Sequence, residues 1–108
     1  MITITVWKAD SQYRGFSFDG HADYASCGED IVCAAVSVLA LNTANSIEAL
    51  TDQIFEQEIA SDGGYLKMIF PEGANEKTSL LMDSLVLGLK SIQEEYGNDY
   101  VNLTVKEV

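Results

Sequence analysis

Two residues capable of nucleophilic chemistry stand twelve positions apart in this chain: His21, the only histidine, and Cys33. An apolar run begins at Ile31, and Asp30 before it is a good N-cap, so the pattern predicts a helix from Ile31 to about Leu50. Cys33 is then the third helical residue, where free backbone N–H groups and the positive end of the macrodipole converge. A thiolate is favoured there, and a thiol pKa below the ordinary value of about 8.5 is expected. A histidine brought near such a thiol can hold the ion pair and then protonate a leaving amine. Gly20, directly before His21, allows the sharp turn that would return the chain toward Cys33. The same residues have a plainer reading: cysteine is common in apolar cores, and a histidine at a strand end is often only a polar loop residue.

Cys27 adds a second thiol, so His21, Cys27 and Cys33 offer three zinc ligands on paper. Their spacing matches no usual zinc knuckle, there is no C-x-x-C, and no fourth ligand is evident, so neither a metal nor another cofactor is expected. Cys27 is either a bystander or a partner for Cys33 under oxidation.

Charge narrows the partners. Seventeen acidic residues against six basic ones give a formal charge of −11, which argues against direct nucleic-acid binding and against an anionic membrane surface. No Lys or Arg occurs from Gly15 to Leu66, while Asp19, Asp23, Glu29, Asp30, Glu48, Asp52, Glu56, Glu58 and Asp62 all lie in that stretch with His21 and Cys33. Focused negative potential would draw a cationic substrate there, with Asp19, Asp23 and Glu29 as the acidic surround, although it also opposes the thiolate.

The elements that must position these residues follow from periodicity. The 108 residues, 47% of them hydrophobic, suit one domain over 1–108 with one core. Ile2, Ile4 and Val6 alternate with Thr3 and Thr5, and after a turn at Asp10, Ser11 and Gln12 a second strand places Phe16 and Phe18 inward, with Ser17 and Asp19 outward. A loop then runs from Gly20 to about Asp30, and its part from Ala22 to Glu29 is expected to move to admit a ligand. The helix after it is apolar nearly all round over its first three turns, as a helix buried on most sides would be. Asp52–Ala60 and Tyr65–Phe70 flank Asp62-Gly63-Gly64 as a second hairpin. A helix from about Asn75 to Tyr96 carries Leu81, Leu85, Leu89, Ile92 and Tyr96 as its stripe and ends at Gly97; Leu80, Met82 and Val86 are candidates for an interface. Tyr100–Val108 is a last strand. The order ββαββαβ implies an α+β fold, a mostly antiparallel sheet packed with two helices. The apolar run Ile31–Leu41 is shorter than the roughly 20 residues of a membrane helix, Met1–Asp10 lacks secretory-signal character, and two cysteines suit reduced thiols, so a cytoplasmic protein is expected.

Gly20-His21-Ala22, followed by Gly28-Glu29-Asp30-Ile31-Val32-Cys33-Ala34-Ala35-Val36-Ser37, resembles the signature of the bacterial ribosomal-processing cysteine protease family (Prp, or YsxB-like). The resemblance extends over essentially the whole chain. It implies a homodimeric cysteine endopeptidase of ribosome biogenesis that removes the N-terminal extension of one large-subunit ribosomal protein, the twenty-seventh, by cutting after an aromatic pair. The family's nucleophile falls on Cys33 and its histidine on His21. Asp30 and Ser37 match the motif aspartate and serine; Asp30 would cap the helix or orient His21, and Ser37 lies one turn after Cys33 on the same face. Apolar pockets are expected beside the thiol, with backbone N–H groups near the helix start holding the oxyanion. The competing expectation is a non-catalytic cytosolic, ribosome-associated binding module in which Cys33 is structural.

Overall fold

The structure, a computed structural model, describes residues 2–20, 27–60, 64–97 and 99–108, those from 27 to 30 by their backbone alone. Alternation in the first twenty residues becomes a hairpin of β1 (Ile2–Ala9) and β2 (Gln12–Asp19). Its turn consists of Asp10 and Ser11, both at positive φ (51° and 68°), the geometry that matches the twist of a two-residue hairpin. Ile2, Ile4 and Val6 share one buried face with Phe16 and Phe18. The pairing skips a residue between Trp7 and Lys8, which leaves Arg14 as the extra residue of a bulge and keeps Tyr13 on the buried face.

α1 (Cys27–Leu50), β3 (Glu56–Ile59), β4 (Tyr65–Ile69), α2 (Glu76–Tyr96) and β5 (Val101–Glu107) complete the order ββαββαβ. The sheet runs β3-β4-β2-β1-β5 and is antiparallel except where β5 lies parallel to β1. The α+β expectation is met, with the core between the sheet and the helices. Val32, Val36, Ala40, Ala44 and Ile47 bring α1 to that core, and Thr78, Met82, Leu85 and Leu89 bring α2. Leu39 fills the space over Gly88, where a Cβ would meet its Cδ1 at 3.0 Å, so the two helices pack side by side. Tyr13 ties β2 to α2: its hydroxyl donates to Asp83 Oδ1 at 2.6 Å, and burial together with that carboxylate raises the phenol well above its ordinary pKa.

Several expectations need correction. α1 begins at Cys27, four residues before Ile31, so Asp30 lies inside the first turn and is not the cap. The predicted loop loses Cys27–Asp30 to the helix. α1 is also less enclosed than its composition suggests. One sheet face and one neighbouring helix cover only part of its perimeter, leaving Ile31, Val38 and Leu41 exposed. By length and composition Ile31–Leu50 would suit a membrane span, yet its apolar residues include the core stripe just named. Met82 is fully buried and Val86 partly so, because the α2 stripe is 78, 82, 85 and 89; of the three interface candidates only Leu80 is exposed, as is Leu87 seven residues on. Ser17 does point away from the helices but is buried there between Thr5 and Lys67 on the neighbouring strands.

β3 is also shorter than the predicted Asp52–Ala60, because the preceding residues serve a junction. Gln53, nearly buried, donates from Nε2 to the carbonyls of Ile54 (2.9 Å) and Gly73 (3.1 Å) and accepts from the Asn75 N–H at 2.8 Å. Asn75 in turn caps α2 by accepting from the Thr78 N–H at 2.9 Å. Gln53→Ala would strand these groups and is expected to cost about 1–3 kcal/mol, read as a lower urea midpoint with an unchanged slope.

Candidate active site

The site is assembled where β2 ends. Phe18 faces the core, Asp19 pairs with Tyr65, and the Gly20 N–H donates to the Gly64 carbonyl at 3.0 Å. Gly20 sits at φ 152°, a conformation that glycine adopts most readily, as expected for the residue where the chain leaves the sheet for His21.

α1 crosses this end of the sheet. Cys33 is 8% exposed and belongs to the core cluster, a free thiol among Val32, Val36 and their neighbours. One turn further along the same side comes Ser37, which opens onto a crevice of ≈ 100 Å³ lined by Phe18, Ser37, Ala40, Leu41, Ile59, Tyr65 and Leu66. The crevice is the scale of a single side chain. Its lining is mostly apolar, with Ser37 the polar residue that α1 contributes, so it suits a bulky apolar group with a thiol one helical turn away. Exposed Asp19, Glu56 and Glu58 stand on the same strands but alternate with the crevice residues, toward the other face of the sheet. Apolar pockets beside the thiol were expected. Which residues form them was not, since Phe18, Leu41, Ile59 and Tyr65 come from four separate segments.

His21 and Asp23 lie outside the described residues, as do the side chains of Cys27, Glu29 and Asp30. The helix start bears directly on the thiol. With α1 beginning at Cys27, Cys33 is the seventh helical residue, and the N–H groups without intrahelical partners belong to the first four positions. They end about 4.5 Å of helical rise before Cys33. The expected activation of the thiol by the helix terminus, and an oxyanion site built from the adjoining N–H groups of the same turn, therefore do not carry over.

Comparison with known proteins gives a consistent result. The family model for the cysteine protease Prp matches residues 1–102. The ribosomal processing cysteine protease Prp of Bacillus subtilis is 32% identical over 101 residues, which cover 89% of this chain and 90% of that protein. Two crystal structures of the essential ribosomal processing protease Prp from S. aureus superpose with TM-scores of 0.87 and 0.86. They are 29% and 30% identical to this chain, each covering 98% of it and all of the S. aureus chain. The first holds a substrate peptide and the second a covalently linked product peptide.

Proposed function

The chain belongs to the Prp family of ribosomal processing cysteine proteases, and on that premise we propose that it removes the N-terminal extension of the twenty-seventh large-subunit ribosomal protein, cutting after an aromatic pair with Cys33 as nucleophile and His21 as base and acid. The observation that carries this reading is the apolar crevice beginning one turn beyond Cys33, walled by Phe18 and Tyr65. An aromatic side chain upstream of the scissile bond would seat there and bring its carbonyl toward the thiol. Membership of a cysteine protease family supports a catalytic over a structural Cys33.

In this mechanism the Cys33 thiolate attacks the peptide carbonyl, the amine departs with a proton from His21, and a thioester joins Cys33 to the upstream fragment. Water then attacks the thioester, giving up a proton to His21, and the thiolate is restored. Ser37, facing the same crevice, positions the upstream residue or the thiol. Asp30 is left with a role toward His21 rather than as a cap. The basic-free stretch from Gly15 to Leu66 supports a cationic substrate, drawn in by long-range attraction that salt would weaken. The same reading includes a cytoplasmic homodimer, supported by the apolar residues that the helix layer exposes, Val38 at 65% and Leu87 at 70%.

The test is a synthetic peptide spanning the ribosomal protein's extension and its first mature residues. A single cut after the aromatic pair is expected. Alanine in place of the aromatic residue next to the scissile bond should lower kcat/KM by roughly two orders of magnitude, as for an emptied apolar pocket. Equal cutting of both peptides would contradict the reading.

A further inference from the structure

The crevice continues onto a free edge of the sheet. β3 is the edge strand, and all four of its residues are exposed. Its side chains alternate. Ile59 lines the crevice, Gln57 shares that face, and Glu56 and Glu58 project to the opposite face, where Glu58 is paired with Lys67 and Glu56 with Ile69. The backbone alternates as well. The Ala60 N–H donates to the Tyr65 carbonyl at 3.0 Å, so Ala60, Glu58 and Glu56 direct their backbone groups toward β4. Those of Gln57 and Ile59 point outward, along the edge that adjoins the crevice.

We propose that the β3 edge receives the substrate segment upstream of the aromatic residue as an added strand, hydrogen-bonded to the backbone of Gln57 and Ile59, with one face apolar and the other basic. The inference rests on the protease reading above and adds how the substrate is held. Main-chain pairing supplies affinity at a sheet edge, while alternate side chains supply specificity. Residues of the added strand on the crevice side continue from the pocket past Ile59 and Gln57. Those on the other side come to lie beside Glu56 and Glu58, which favours Lys or Arg. The same acids argue for a substrate over a second copy of this chain, because two β3 strands side by side would set like charges across the pair. A short, charged edge also resists indiscriminate pairing while remaining open to a cationic strand.

Gln57→Pro tests this directly. The lost N–H faces outward, so the ladder to β4 is kept, and proline is tolerated at such edge positions. With the full extension peptide, the variant is expected to raise KM about tenfold at unchanged kcat and unchanged melting temperature. A short peptide beginning at the aromatic pair should be cut equally by wild type and variant. As a second arm that leaves the protein intact, N-methylation of an upstream peptide amide should raise KM for the wild type to a similar extent. The proposal is overturned if long and short peptides respond alike to Gln57→Pro, if N-methylation at every upstream amide leaves KM unchanged, or if Gln57→Pro acts by changing the oligomeric mass. Failure of the wild type to cut either peptide would instead bring down the protease–substrate reading and this inference with it.

Discussion

Cys33→Ala is expected to lower kcat/KM for the extension peptide by at least about 10³-fold while leaving the fold in place. The sulfur is the nucleophile of the proposed mechanism, which has no route around the thioester. Structurally the substitution is mild. It removes one atom from a position that is 8% exposed, between Val32 and Ala34 on a helix held by Val36, Ala40, Ala44 and Ile47, and should cost about 1 kcal/mol. Thermal melts of both proteins, run beside the kinetics, separate the two effects. A melting temperature near that of the wild type with no cleavage is the expected pair of results; retained cleavage would remove Cys33 from the chemistry.

The second large effect is at His21. Since α1 starts at Cys27, free N–H groups do not adjoin Cys33, and the helix terminus contributes little to making its thiolate. In the proposed mechanism the histidine both takes the thiol's proton and returns one to the leaving amine. His21→Ala should therefore cost about 10²–10⁴-fold in kcat. It should also change the pH profile: cleavage that remains should climb with rising pH, as the thiol ionises without help. A loss below tenfold, or one with the wild-type profile merely scaled down, would mean that another group serves as the base.

Much of this molecule could be read before its structure was known, and the physical reasons differ by element. Ile2, Ile4 and Val6, Phe16 and Phe18, and Leu85 and Leu89 repeat at periods that only one secondary structure can bury, so element types and their order were legible. The start of α1 was not. Asp30 has the chemistry of a cap, but acids are equally favoured within a helix's first turn, and Glu29 and Asp30 occupy that turn. On α2 the predicted stripe holds for Leu85 and Leu89, which are buried, and for Leu81 and Ile92, which pack partly buried against the core; Thr78 and Met82 widen it and Tyr96 is exposed, because packing against the sheet decides the width of the buried face.

For the candidate site, Cys33 is legible from its place on an apolar helix, and Ser37 only through the family resemblance. The crevice is not, because it exists only once β2, α1, β3 and β4 come together. The parallel pairing of β5 with β1, which leaves β3 as the opposite edge, is likewise a property of the assembled sheet and has no local signal.

The central claim is that Cys33 forms a covalent bond to the upstream part of the substrate. Acid quenching of wild-type protein during turnover of the extension peptide, followed by intact-mass and fragment mass spectrometry, tests it most directly. The expected result is an adduct of the mass of the upstream fragment less one water, the acyl group left after the amine departs, located on the fragment that carries Cys33 and absent from Cys33→Ala. An adduct on Cys27, or product formed by Cys33→Ala at the wild-type rate, would contradict the account.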